Sequence, residues 1–502
     1  MPDDPVVSTT GGPGGGEHHD PGSVVASVAT SIDGRSFSFQ APLTDLTLEV
    51  GGYVSVGHGS DGQVGQVLSL ELQHLDSTEL VLTHPAEGPA RRVPVAIGSG
   101  TLLGPGAPFV DAPLRPASTD EIGRWLEANA SRHAALEIGE LLLAPGLPAR
   151  LDAAGFDRHT FLCGQSGSGK TYSLGVVLER LLLETELRIV ILDPNSDYVR
   201  LAQGRAGADA ALADRYRQLA TGIAVRRAAS AGGPPLHLRF GELDPRCQAA
   251  LLRLDPVADR QEYAALTRIL EGDEQGRPLV AGLGDLADSE LAGAHELGMR
   301  ASNLGVLDWE IWEHGAGGSL VPLLSEPDWR CLVVDLGSLN TPDEQAVVSE
   351  AVLATLWRLR RQRRPVLIVI DEAHNICPQR PEDPVTALAT RQAVQIAAEG
   401  RKFGLYLFVS TQRPQKVHEN VLSQCDNLLL MRMNSQADLA YLAESFSFVP
   451  TGLLGQASHF GLGAALVAGK ISPQPALVRF GARVSEEGGA DVSAGWADPA
   501  PG

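Results

Sequence analysis

Gly164-Gln165-Ser166-Gly167-Ser168-Gly169-Lys170-Thr171 fits the spacing GxxxxGK(S/T) at every fixed position. The glycines permit backbone dihedrals that a Cβ would forbid, so successive N–H groups can turn inward around phosphate oxygens. Lys170 brings a compact positive charge to the β and γ phosphates of a nucleoside triphosphate, and Thr171 offers a hydroxyl to Mg2+. Thr160-Phe161-Leu162-Cys163, just before, is a short apolar run that reads as a buried strand. Residues Tyr172 to Leu183, just after, are apolar nearly all round, as suits a helix buried against a sheet. Strand, loop and helix in that order are the context the spacing needs. The helix N-terminus then faces the phosphates, where its dipole favours negative charge. The candidate ATP cradle therefore runs from Gly164 to Tyr172.

Working outward along the chain, Val366-Leu367-Ile368-Val369-Ile370 is its most apolar strand and leads straight into Asp371-Glu372-Ala373-His374. A buried strand ending in two acids aims carboxylates at the mouth of a sheet. Asp371 is the candidate Mg2+ group, acting through water, and Glu372 the candidate base for the water that attacks the γ-phosphate. Leu405–Val409 is a further strand capped by Ser410-Thr411-Gln412. Polar side chains at a neighbouring strand's carboxyl end can reach the γ-phosphate, and Gln412 is the candidate sensor. Glu399-Gly400-Arg401-Lys402-Phe403-Gly404 lies between these motifs. Arg401 is either an arginine that stabilises transition-state charge in a neighbouring subunit or a basic residue at a helix end closed by Gly404. The local residues do not rank the two.

Arg188–Asp193, Cys331–Asp335 and Asn427–Met431 read as more strands, alternating with helices. That alternation predicts an α/β core with a parallel sheet and right-handed crossovers, over residues 158–483. Within it, residues 201–329 read as a mostly helical insertion with one possible strand at Leu236–Phe240. The helix expected over Thr341–Arg363 ends in Arg358, Arg360, Arg361, Arg363 and Arg364. Cations there complement the helix dipole, which explains them without a DNA patch.

Before the core, residues 23–97 carry short alternating runs (Val24–Val28, Ser36–Phe39, Leu46–Val50, Tyr53–Val56, Val64–Val67, Leu80–Leu82) parted by turn residues. They predict a small β-barrel. Residues 98–157 read as a connector with one helix near Thr119–Ala135. Residues 1–22 are rich in Gly, Pro, Asp and His and residues 484–502 in Gly, Ala and Asp, and both read as disordered tails. His18-His19 has no other ligand type patterned around it and reads as solvated.

A chain of 502 residues exceeds one compact core, so about two or three domains are expected. No apolar run approaches the roughly 18 residues needed to span a bilayer. The N-terminus lacks the basic start and apolar stretch of an export signal. The five cysteines are scattered with no CxxC pair, which suggests neither zinc nor disulfides. Together these features predict a cytoplasmic protein. A net charge of −21 argues against a chain that coats DNA with its whole surface, and leaves DNA inside a locally basic channel open.

The cradle preceded by His159-Thr160, the string Val369-Ile370-Asp371-Glu372-Ala373-His374-Asn375, Glu399–Gly404, and Ser410-Thr411-Gln412-Arg413-Pro414, in that order, resemble the HerA-type DNA translocases of the FtsK–HerA superfamily. The resemblance covers residues 23 to 483 and takes in the strand-rich N-terminal segment as the barrel that precedes such a core. It implies a RecA-like P-loop ATPase that assembles as a homo-hexamer and threads duplex DNA through a central channel. It also implies a partner, a NurA-like nuclease in DNA-end processing or another effector in phage defence. It makes Arg401 a finger acting on the neighbouring subunit and suggests Arg158 as a second basic group near the phosphates. Asn195 and Ser196 stand where the family usually has His and Gly, with a carboxylate kept at Asp197. Two rivals stay open: a secretion- or conjugation-type ATPase, and a nucleotide-gated scaffold that holds an effector.

Overall fold

The computed structural model describes residues 27–43, 47–57, 62–76, 92–272, 293–313 and 318–489. The chain divides into two compact units, Met1–Glu121 and Ile122–Gly502.

The first unit is a closed antiparallel barrel of β1 (Val28–Ser31), β2 (Ser36–Pro42), β3 (Tyr53–Val56), β4 (Gln63–Asp76), β5 (Arg92–Leu102) and β6 (Phe109–Pro116). The strand order is β1-β2-β5-β4-β3-β6. Alternation decides which side chains fill it. In β2, Phe37, Phe39 and Ala41 are buried while Ser36, Ser38 and Gln40 are exposed. Phe37 and Phe39 join Ala29, Val54, Val56, Val67, Leu102 and Leu114 in one apolar cluster. Closure leaves no unpaired sheet edge.

The barrel extends past the Ile97 boundary expected from sequence. β6 completes it by pairing with both β1 and β3, and Pro113 and Pro116 mask its strand signal. Of the runs expected to be strands, Leu46–Val50 is non-strand over its described residues 47–50. Leu80–Leu82, most of Val24–Val28 and the tail 1–22 lie outside the described residues.

The segment 98–157 is not a connector. Its helix spans only Thr119–Ala128, and β7 (Ala135–Leu141) and β8 (Pro148–Asp152) add a hairpin to the sheet of the second unit. That sheet also holds β9 (His159–Cys163), β10 (Arg188–Asp193), β11 (Ile223–Arg226), β12 (Cys331–Asp335), β13 (Val366–Ile370), β14 (Leu405–Thr411), β15 (Cys425–Met431), β16 (Ala464–Gly469) and β17 (Ala476–Phe480). Its order is β11-β12-β10-β13-β14-β9-β15-β16-β17-β7-β8. The span from β11 to β15 is parallel, and β16, β17, β7 and β8 extend it antiparallel. β9, β12 and β13 are buried at every residue, as strands covered on both faces are. This is the α/β core with a parallel sheet that the alternation of strands and helices predicts.

The insertion 201–329 carries helices Ala210–Leu219, Pro245–Leu251, Arg260–Gly272, Ala294–Asn303 and Leu320–Ser325. It also contributes β11 to the main sheet, at Ile223–Arg226 rather than at Leu236–Phe240. Leu238 makes only an isolated bridge, to Trp312. The C-terminal boundary moves as well: Val484 and Ser485, read as tail, are buried. No described helix is long and apolar enough to cross a membrane. All five cysteines are free and buried.

Register places the site. In the parallel pairs Cys163 lies beside Thr411, Ile370 beside Val409, Leu192 beside Ile370, and Asp193 beside Asp335. The residues that follow β9, β10, β13 and β14 therefore emerge together at one end of the sheet.

Candidate nucleotide site

The loop after β9 needs its glycines: Gly167 has φ of 70° and Gly169 of 90°, the left-handed region that a side chain disfavours. Gly169 is the N-cap of helix Lys170–Glu184. Partners from distant segments hold the loop. Gln165 N donates to Arg432 O at 2.9 Å, Arg432 Nη2 donates to Gly167 O at 2.9 Å, and Asn434 N donates to Gln165 Oε1 at 3.2 Å. Gly463 N donates to Ser168 O at 3.2 Å. The sequence carries no signal for this support, because Arg432, Asn434 and Gly463 follow no local pattern. Tyr172, read as part of the cradle, uses its hydroxyl to accept from Arg483 N at 2.9 Å.

Lys170 is buried and is met by three groups. Its Nζ lies 3.0 Å from Asp371 Oδ1, 2.9 Å from Glu372 Oε1 and 3.2 Å from Ser410 Oγ. Burial alone would lower its pKa, yet the carboxylates of Asp371 and Glu372 raise it above the ordinary lysine value. Gln412 Nε2 donates to the same Glu372 Oε1 at 2.9 Å. Burial acts to raise the Glu372 pKa, but the His374, Lys170 and Gln412 contacts outweigh it and hold the carboxyl down at about 2. Glu372 sits at a φ of 42°, unusual for a residue with a side chain. The structure thus brings together Lys170, Asp371, Glu372 and Gln412, four residues that sequence alone scatters over more than 240 positions.

Thr171 Oγ1 donates to Asp197 Oδ2 at 3.4 Å. Burial, with Asp371 nearby, pushes the Asp197 carboxyl up to about 6. The loop bearing Asp197 is fixed from both sides. Asp193 accepts from Asn195 N, Asp197 N and Tyr198 N at 3.3, 3.0 and 2.8 Å, and burial pushes its carboxyl up to about 8. Ser196, at φ 61°, donates its hydroxyl to Asp335 Oδ1 at 2.6 Å. Arg227 Nε donates to the other Asp335 oxygen at 3.1 Å. Ser196 and Asp335 so anchor the stretch where the sequence departs from the family pattern.

A hydrated divalent cation fits this donor set. Asp371 is fully buried and its Oδ2 has no hydrogen-bond partner, and the Thr171 hydroxyl lies on the same helix N-terminus as Lys170. Among the described residues no group of three or more His, Cys, Asp or Glu forms a self-sufficient metal cage. Mg2+ takes one or two protein groups and fills its shell with water and phosphate oxygens.

Arg158 lies away from the cradle of its own chain. β9 separates it from the loop, and five strand residues span about 16 Å, so it does not reach phosphates held by its own chain. It pairs with Asp157 at 3.3 Å and lies 3.9 Å from Asp426. Arg401 reaches the same carboxylate, Nη1 to Asp426 Oδ2 at 2.7 Å, and is partly exposed. Both arginines therefore sit at the start of the strands, away from their own chain's cradle. His159 is structural: its Nδ1 accepts from Leu407 N at 2.9 Å and its Nε2 donates to Ala397 O at 2.9 Å. Burial lowers its pKa to about 4.

Residues 136–274 match the family model described as "Helicase HerA, central domain". The chain is 24% identical over 406 residues to the "DNA double-strand break repair helicase HerA" of Pyrococcus furiosus, covering 69% of each. It is 31% identical over 156 residues to the protein of the same description from Sulfurisphaera tokodaii, covering 30% of this chain and 31% of that one. Among solved structures, VirB4 of Thermoanaerobacter pseudethanolicus superposes with a TM-score of 0.49 at 18% identity, over 70% of this chain and 98% of that one.

Proposed function

We propose that this chain, a HerA-type P-loop ATPase, is the subunit of a cytoplasmic homo-hexameric motor that couples ATP hydrolysis to movement along duplex DNA. Its partner in this reading is a nuclease or other effector in DNA-end processing or phage defence. The observation that carries the hydrolytic part is the convergence of Lys170, Asp371, Glu372 and Gln412 where β9, β13 and β14 end. The DNA part is supported by the description of the relatives as DNA double-strand break repair helicases.

The residues divide the work by position. Backbone N–H groups of the loop, apart from the Gln165 N–H that Arg432 O already holds, and the helix N-terminus bind the triphosphate. Lys170, now paired with two acids, turns to the β and γ oxygens. Glu372, relieved of Lys170, accepts the proton of the attacking water, which Gln412 orients. Thr171 and Asp371 would hold Mg2+, which supplies positive charge to the phosphate oxygens. Arg401 serves the site of the neighbouring subunit, since it does not reach its own.

Displacement of a labelled third strand from a triplex tests the motor. The reading expects ATP-dependent displacement by wild-type protein and none by Glu372→Gln. A scaffold would hydrolyse ATP and displace nothing, and that result would overturn translocation while leaving the ATPase intact.

A further inference from the structure

The two carboxylate oxygens of Glu372 have different surroundings. Oε1 is met by Lys170 Nζ and Gln412 Nε2, each at 2.9 Å. Oε2 is buried and makes no hydrogen bond, and the His374 ring stands beside it with Nδ1 3.3 Å away. The same Nδ1 is 3.1 Å from Thr411 Oγ1 at the end of β14, and that hydroxyl accepts from Arg413 N at 3.0 Å. The turn carrying His374 is itself tied down: Ala373 N donates to Ser410 O at 2.9 Å and Asn375 N to Glu372 O at 2.8 Å. The ring thus stands between Glu372, in the turn after β13, and Thr411, the residue that ends β14.

We propose that His374 is a positioning residue for the hydrolysis assigned above: through Nδ1 it fixes Oε2 of Glu372, so that Oε1 is the oxygen presented to the attacking water. The inference rests on that hydrolytic reading. The last torsion of a glutamate is broad and sets no preferred orientation by itself. Glu372 also has a left-handed backbone, so contacts of the side chain must define where it points. When Lys170 leaves for the phosphates, Oε1 loses its strongest partner while Oε2 keeps His374. The 3.3 Å separation is long for a hydrogen bond, and such catalytic contacts commonly tighten once substrate is bound. Without the ring the carboxylate is free to swing, and a misplacement of about 1 Å can cost about 10²-fold in rate.

The test compares full-length wild type, His374→Ala and His374→Asn for ATP turnover, KM and thermal melting. Asparagine places an N–H donor near the position of Nδ1. The proposal expects His374→Ala to lower kcat by about 10–100-fold with KM for ATP and melting temperature unchanged, and His374→Asn to recover most of the loss. Wild-type kcat in His374→Ala would overturn it. So would a fall in kcat that tracks a fall in melting temperature and is not restored by asparagine, because that pattern belongs to a purely structural ring. Absence of turnover in wild-type protein would instead overturn the hydrolytic reading, and the proposal with it.

Discussion

Lys170 sits between two buried carboxylates, 3.0 Å from Asp371 and 2.9 Å from Glu372. Removing one partner of a buried ion pair leaves uncompensated charge, typically at about 3–5 kcal/mol. Lys170→Ala is therefore expected to destabilise the nucleotide-free protein by about 3 kcal/mol in urea unfolding, as well as to abolish turnover. An unchanged unfolding midpoint would show that the acids are already neutral. The sign of the pH dependence follows from Glu372. Its contacts depress its pKa from 4.5 to about 2, so the stability they contribute is complete above 4.5 and is lost as pH falls toward 2. At this scale the sequence is informative wherever chemistry imposes a spacing. Gly164 to Thr171 and Asp371-Glu372 are legible because phosphate, cation and water need those groups in those orders. Ser410 against Lys170, His374 against Thr411 and Arg432 against Gly167 are not legible, because each is a contact between remote segments with no local pattern.

The helix Lys170–Glu184 is the element on which the site turns, and its far side holds a second buried charge pair. Arg483 Nε lies 3.2 Å from Glu179 Oε1, both side chains fully buried. Val484 N and Ser485 N donate to Glu179 at 2.7 and 3.0 Å. Gly175 makes room: a Cβ there would fall 2.4 Å from the Arg483 guanidinium carbon. The segment after β17 is thereby bound to the cradle helix and continues to the Asp197 loop, where Gly488 N donates to Asp197 O at 2.9 Å. Arg483→Met leaves Glu179 buried without its cation and is expected to cost about 3–5 kcal/mol. A urea midpoint equal to wild type would refute that role. This segment reads as tail from sequence because its Gly, Ala and Asp content signals disorder, while its anchoring comes from one arginine in a glycine-sized space. The strongly apolar strands β9, β10, β12, β13 and β14 are legible because burial on both faces demands apolar runs. β11 and β6 are not: β11 is four residues long, and β6 is broken up by prolines.

For the whole molecule, the arrangement of Arg401 and Arg158 around Asp426 matters most. Two arginines at the start of the strands do not reach the site at the strands' other end within one chain; in the proposed hexamer a neighbouring subunit brings Arg401 to it. Rings co-assembled from Arg401→Ala and Lys170→Ala subunits are expected to hydrolyse ATP faster than either variant alone, because some interfaces then combine an intact cradle with an intact arginine. Activity no greater than the mean of the two would contradict action across subunits. The net charge of −21 says little here, since pairing at a site is set by local groups and screening hides charges beyond about 10 Å.

The most direct measurement is phosphate release from ATP with Mg2+ and duplex DNA present, by wild-type protein and by Glu372→Gln, alongside ATP binding by both. The account predicts release by wild type, a loss of about 10²–10⁴-fold in the variant, and binding retained in both. No release from wild type, or equal release from the two, would contradict it.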